Sequence, residues 1–227
     1  MVDIVIDNEL ASNYGISLVG RPKIPTAEQE VEFIQIPGRH GSLTKKGAFK
    51  DVSLKIKFNM LELEEDLKPL IRRMKARLMK GKTLSFTDDE YVYRKIKHVE
   101  IGDIENEIEE HGEFEASFTF DPFEYAMVMP LTLTESQILF NPGTFEAAPR
   151  LEVFGSGDLR ITINDSSFQI KAVTNSVVVD SELLIAHSGT TPMKTIGAFP
   201  VLSEGNNKIQ WSSNVTKIII EPRWRYK

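Results

Sequence analysis

Glu30–Phe58, EVEFIQIPGRHGSLTKKGAFKDVSLKIKF, is the stretch from which the rest of the chain is read. Val31, Phe33 and the flanks of Gln35 alternate with polar residues, and Ser53-Leu54-Lys55-Ile56-Lys57-Phe58 alternates as strictly on the far side. A period of two predicts strands with one buried face. Between the two runs lies Pro37-Gly38-Arg39-His40-Gly41, with a proline that cannot donate to a ladder and two glycines that accept positive φ. The connection runs from Pro37 to Phe49, rich in Lys and Gly and too long for a tight hairpin. Connections of that length inside a compact domain are functional or disordered. This one reads either as a loose surface arm or as an arm that becomes ordered against a neighbouring subunit.

The 227 residues suffice for two domains of about a hundred residues each. Hydrophobic residues at 41% and charged residues at 26% describe an ordinary globular chain, rich enough in Leu, Ile, Val and Phe to exclude wholesale disorder. A net charge of −6 argues against a general nucleic-acid binder, sequence-specific or otherwise. The absence of cysteine removes disulfide frameworks, thiol nucleophiles and Cys-based zinc sites together. MVDIVIDNELASNYG has no basic segment followed by an apolar core, so no signal peptide is expected. The longest apolar runs, Val177–Val179 and Ile218–Ile220, are too short to span a bilayer, and no membrane association is expected.

Taken in order, Val2, Ile4 and Ile6 predict a first strand, Asn13-Tyr14-Gly15 a turn, and Ile16–Val19 a second strand. Pro22 and Pro25 hold Arg21–Pro25 extended. One helix is expected within Leu63–Met79, where Leu63, Leu67, Leu70, Ile71, Met74 and Leu78 form one apolar stripe. Pro69 is tolerated only in a first turn, so the regular part begins near Asp66 or Leu67. Glu62, Glu64, Glu65 and Asp66 precede it, Arg77 and Lys80 close it as the macrodipole favours, and Gly81 stops it. A hairpin around Asp88-Asp89 follows, with strands at Thr83–Phe86 and Glu90–Val99. Ile104–Ile108 reads as strand or short acidic helix, strand being preferred. Glu113–Phe120 alternates again and ends at Asp121-Pro122-Phe123.

The domain boundary is placed near Pro130, giving domains at 1–130 and 131–227. In the second, strands are expected at 149–154, 159–163, 167–173, 177–180, 183–185, 208–211 and 215–220, with turns at Asn141-Pro142-Gly143, Gly155-Ser156-Gly157 and Asn164-Asp165. Short, evenly spaced strands without a helix imply a β-sandwich. The expected class is therefore mainly β.

No catalytic, cofactor or metal site is expected. His40, His98, His111 and His187 have no ligand spacing, and no HExxH, GxSxG or phosphate-binding glycine run occurs. Glu105, Glu107, Glu109, Glu110, Glu113 and Glu115 cluster around His111-Gly112 as a solvated hairpin tip. Lys68, Arg72, Arg73, Lys75, Arg77, Lys80 and Lys82 form the opposite field, a solvated face or one that meets the acidic cluster of an adjacent copy in a ring.

Ile36–Gly47 (IPGRHGSLTKKG), the run from Gly112 to Phe123, Ala148–Asp165 (APRLEVFGSGDLRITIND) and Gly197–Lys227, closing on Pro222-Arg223-Trp224-Arg225, together resemble the phage distal tail proteins of the siphophage tail component family. The resemblance covers nearly the whole chain. It implies a non-enzymatic virion structural protein at the tip of a long non-contractile tail, of free phage or prophage origin, assembled in the bacterial cytoplasm. It implies a homo-hexameric ring beneath the tail-tube protein and around the end of the tape measure protein, bearing tail-associated lysin and receptor-binding proteins. The N-terminal domain would be a β-sandwich or barrel-like ring-former with one helix and a projecting belt hairpin. The C-terminal domain would be a galectin-like β-sandwich facing the host-adhesion device. The subunit interface would fall on Pro37, Gly38, Arg39, Gly41, Leu43, Lys45, Lys46 and Phe49. The alternative is a lectin-like carbohydrate-binding module using Trp211 or Trp224, for which His187 lacks the His/Asn/Arg cluster such sites need.

Overall fold

The computed structural model describes residues 2–60, 67–103 and 113–227. The chain divides into two compact units, residues 1–124 with Lys227, and residues 125–226.

In the first unit, strands β1 (Ile4–Ile6), β2 (Glu9–Leu10), β3 (Ile16–Leu18), β6 (Val52–Met60), β7 (Thr83–Phe86), β8 (Asp89–Ile101) and β9 (Glu113–Ala126) form one sheet in the order β2-β1-β7-β8-β9-β6-β3. Strands β4 (Gln29–Gln35) and β5 (Ser42–Phe49) stand apart as a two-stranded sheet. The alternation read in β6 has its physical cause here: Val52, Leu54, Ile56, Phe58 and Met60 are buried while Ser53, Lys55 and Lys57 are exposed. Antiparallel pairing of β6 with β9 sets Phe58 opposite Phe114, their rings stacked at 5.2 Å. Cross-strand aromatic pairs of this kind add roughly 0.2–1 kcal/mol beyond their burial.

Helix α1 (Leu67–Lys80) lays Leu70, Met74 and Leu78 into this core. Pro69 falls in its first turn, as expected; Leu63 and the acidic run Glu62–Asp66 lie outside the described residues. Gly81 ends the helix with its N–H on the carbonyls of Arg77 and Leu78, and a Cβ there would sit 2.6 Å from Ile6 Cγ2. Arg77 leaves the basic face assigned to it. Its guanidinium donates to the Ile6 carbonyl at 2.7 Å, pairs with Glu9 at 3.1 Å and lies over the Tyr14 ring at 5.5 Å. Asp7 completes the junction: its Oδ1 accepts the N–H groups of Lys82 (3.0 Å) and Thr83 (2.9 Å). Burial pushes the Asp7 carboxyl up, but these two donors, the Thr83 hydroxyl and Arg77 outweigh it and hold it below its ordinary value.

Strand β9 continues through Asp121-Pro122, where the sequence reading ended it. The β6 ladder stops at Val52 opposite Phe120, so the missing N–H of Pro122 interrupts no bond to that neighbour. The buried positions change parity there, from Phe114, Ala116, Phe118 and Phe120 to Phe123 and Tyr125. The residues read as strand or acidic helix, Ile104–Glu110, lie outside the described residues.

In the second unit, two antiparallel sheets face each other. One orders β10 (Leu131–Leu133), β20 (Val215–Glu221), β12 (Arg150–Gly155), β15 (Ser176–Asp180), β16 (Ile185–Ser188) and β17 (Thr191–Pro192). The other orders β11 (Gln137–Asn141), β19 (Gly205–Trp211), β13 (Gly157–Ile163), β14 (Ser166–Val173) and β18 (Thr195–Ile196). Leu151, Val153, Val179, Ile218 and Ile220 from the first meet Leu159, Ile161, Phe168, Ile170 and Ile209 from the second in one core. This is the expected β-sandwich. The strand expected at 183–185 is instead a turn, with Leu184 at φ 55°, followed by pairing of Ile185 with Asp180. Asp180 organises that turn by accepting the N–H groups of Glu182 and Leu183 while gripping Arg223 through two bonds of 2.9 Å. Burial pushes the Asp180 carboxyl up; Arg223 and the two N–H donors outweigh it and hold it below its ordinary range.

Candidate oligomer interface

The hairpin of β4 and β5 corrects the reading of Pro37–Phe49 as a long connection. Ser42–Phe49 is a strand, paired from Gln35 opposite Ser42 to Val31 opposite Lys46, and only Ile36–Gly41 connects the two. Arg39 N–H donates to the Ile36 carbonyl at 3.1 Å, and Gly38 has φ 80°. Proline second and positive φ third describe a type II turn. Nothing lies within 4 Å of a Cβ built on Gly38 or Gly41, so glycine serves backbone angle there, not space. The Lys/Gly content that suggested a loop is accommodated by a register shift between Gln29 and Val31, where Gly47 packs against Glu30.

At its root the hairpin is tied down. Lys50 N–H donates to the Glu28 carbonyl at 2.8 Å, and Phe49 meets Phe123 edge-on at 5.7 Å. Above the root it is bare. Val31 and Phe33 were expected to form a buried face; Phe33 is 66% exposed, and Val31, Ile34, Ile36 and Leu43 are each close to 40%. A lone two-stranded hairpin is marginal in water, and clustered exposed apolar side chains mark an interaction surface. Lys45 and Glu32 pair across it at 3.5 Å, but both side chains are mostly exposed and the pair adds little.

Of the residues read from sequence as interface, Pro37, Gly38, Arg39 and Gly41 form the tip, and Leu43, Lys45 and Lys46 lie on β5. Phe49 belongs to the root. Val31, Phe33, Ile34 and Ile36, outside that set, are exposed on the same hairpin. Their signal was present in the alternation of β4, but burial within the same chain was the simpler inference.

Among the described residues the other charged features lie dispersed over the chain. Among the described residues no group of three His, Asp or Glu side chains could hold a metal ion. His40 is exposed beside the hairpin tip, His98 lies 3.5 Å from Glu100, and His187 Nδ1 is 2.7 Å from the Gly189 carbonyl oxygen. His111 and Glu105–Glu110 lie outside the described residues; Glu115 is bonded to Lys55 at 2.9 Å. Lys68, Arg72, Arg73 and Lys80 are exposed on α1. Trp224 is buried in the sandwich core, whereas Trp211 packs partly against that core and lines an open groove with Arg160, Gln169 and Lys171.

No family model matches the sequence, and no curated protein matches it. Among solved structures, the chain is similar to the Dit protein of phage SPP1, described as a paradigm of the hub adsorption apparatus of phages infecting Gram-positive bacteria. The likeness has a TM-score of 0.66 at 14% identity and covers 97% of each chain. The fold is that of the SPP1 Dit protein. Structures of the phage p2 baseplate in its activated conformation, with Sr and with Ca, are also similar, at 11% and 10% identity and a TM-score of 0.47 each. The first covers 97% of each chain, the second 100% of this chain and 98% of the other. The likeness to SPP1 Dit extends along both units.

Proposed function

We propose that this chain is the structural hub of a long non-contractile phage tail, six copies closing a ring that joins the tail tube to the tip and its host-adhesion device. The observation that carries the reading is a projecting hairpin with exposed Val31, Phe33, Ile34, Ile36 and Leu43, on a chain with the fold of the SPP1 hub. Residues 1–130 form the ring and 131–227 face outward. The hairpin, including Pro37, Gly38, Arg39, Gly41, Leu43, Lys45 and Lys46, reaches the neighbouring copy, while Phe49 fixes its root. The tail-tube and tape measure proteins meet the ring on its axis, and lysin and receptor-binding components attach at the tip. The protein works in the virion after assembly in the host cytoplasm, and performs no catalysis.

A heterologous contact of this kind closes into a ring when its rotation allows, and obligate rings bury ~2,000 Å² or more per interface. The test is excision of the hairpin. Because Gln29 pairs with Phe49 at the root, residues 30–48 can be replaced by Asn-Gly without opening it. The wild-type chain is expected to give six-fold rings by electron microscopy and a hexamer mass by light scattering, and the excised chain a folded monomer. Hexamers that survive excision would refute the role of the hairpin, and a wild-type monomer at high concentration would refute the ring.

A further inference from the structure

The sheet of the first unit has an unfinished edge. β9 pairs with β6 from Val52 to Asn59, but on the other side β3 reaches only Phe58–Met60, and Val19 N–H takes the Lys57 carbonyl at 2.9 Å. Backbone groups of alternate residues point the same way across a strand. Ser53 and Lys55 therefore direct theirs to the same side as Lys57, and among the described residues no backbone hydrogen bond is made to them there. Residues 20–25 run past this edge, separated from it by a groove of about 700 Å³ lined by Gly20, Pro22, Ile24, Ser53, Lys55 and Glu115. They do not close it: among the described residues no backbone bond beyond Val19 joins them to β6, Pro22 and Pro25 have no N–H to give, and Ile24 is 87% exposed.

The pattern along β6 specifies what fits. Leu54 and Ile56 are buried on one face; Ser53, Lys55 and Lys57 are exposed on the other. Over Val31–Phe33 β4 carries the complement, with Val31 and Phe33 on one face and Glu32, followed by Ile34, on the opposite one. Laid beside β6 with its apolar face inward, β4 extends the row of Leu54 and Ile56 with Val31 and Phe33 and places Glu32 beside Lys55 and Lys57. β5 does not fit: Lys45 and Lys46 are adjacent and point to opposite faces, so either orientation sets one of them beside the same lysines.

We propose that β4 of one copy adds to the open edge of β6 in the next, so that the sheet of each first unit is completed by a strand from its neighbour. This inference rests on the ring reading and specifies the contact within it. The chain has no cysteine, which allows a direct test. Paired strand positions place Cβ atoms about 4.5–5.5 Å apart, within reach of a disulfide after slight adjustment. Glu32 and Lys55 are 64% and 68% exposed along their side chains, so cysteine at either leaves folding intact, as circular dichroism will verify. Oxidised rings of the double variants Glu32→Cys/Lys55→Cys and Glu32→Cys/Lys57→Cys, which cover adjacent registers, are run on a non-reducing gel. A ladder of covalent dimers and higher multimers in either, absent from each single variant, is the expected result. Rings of normal mass without a ladder in both overturn strand addition while leaving the ring reading intact. A disulfide closed within one chain overturns it too, by showing the hairpin folded back on its own edge. A wild-type chain that stays monomeric removes both.

Discussion

Replacing Arg223 tests whether one residue holds the C-terminal segment of the sandwich. Its side chain is 16% exposed and that of Asp180 is 9% exposed, and the two share a bidentate contact of 2.9 Å per bond, with Glu182 at 3.1 Å. Removing one partner of a fully buried pair costs about 3–5 kcal/mol because the other charge is stranded. Residual water access at both groups lowers the expectation for Arg223→Ala to ~2–3 kcal/mol. The backbone supplies an internal control. Arg223 sits at φ 54°, a region costing an L residue roughly 1 kcal/mol that glycine does not incur. Arg223→Gly should thus be the milder change, by about 1 kcal/mol, although it deletes more atoms. Both tryptophans, Trp211 and Trp224, lie in the second unit, so intrinsic fluorescence follows its unfolding alone. With a urea dependence of about 1.5 kcal/mol per M, the alanine variant should lose roughly 1.3–2 M in midpoint. Equal midpoints for the two variants would refute the strain argument, and a loss below about 0.3 M for alanine would refute the pairing argument.

Acid should act through the same contact. The folded Asp180 carboxyl lies below its ordinary value, so its contribution is present above the usual carboxylate range and is lost as pH falls through the depressed folded value; Asp180→Asn should flatten the fluorescence-detected midpoint between about pH 5 and pH 2 relative to wild type. Gly81→Ala should destabilise the first unit by about 1–3 kcal/mol, measured by circular dichroism on urea titration, since its Cβ would press on Ile6, itself 2% exposed. Phe33→Ser should change monomer stability by less than about 0.5 kcal/mol, because the ring is 66% exposed, yet raise the ring's dissociation midpoint on dilution at least tenfold by mass photometry. Unaltered dilution behaviour would remove Phe33 from the interface.

Where a residue's role is decided by its own strand or helix, the sequence carried it. The alternation of β6 and the first part of β9, the 3–4 spacing of Leu70, Met74 and Leu78, and the turn at Asn141-Pro142-Gly143 were all readable, because local period and turn chemistry determine them. What escaped depends on a distant partner. Pro122 is admissible within β9 only because β6 has already ended, a fact fixed 70 residues upstream at Val52. The turn at Leu183-Leu184 exists because Asp180 is held by Arg223, 43 residues later. For the candidate site the difficulty was of another kind. The alternation of β4 correctly announced a strand with an apolar face, but period alone does not say whose core that face enters.

The distribution of charge over the two margins of the hairpin has a bearing on symmetry. Glu30 and Glu32 mark one margin, Lys45 and Lys46 the other, and β6 presents Lys55 and Lys57. Two copies approaching with like margins meet like charges, so a two-fold, face-to-face pair is disfavoured. Head-to-tail approach matches opposite signs at every step. In the ring proposed above, each copy would have a giving side and a receiving side, and growth would proceed in one rotational sense until the last copy found the first.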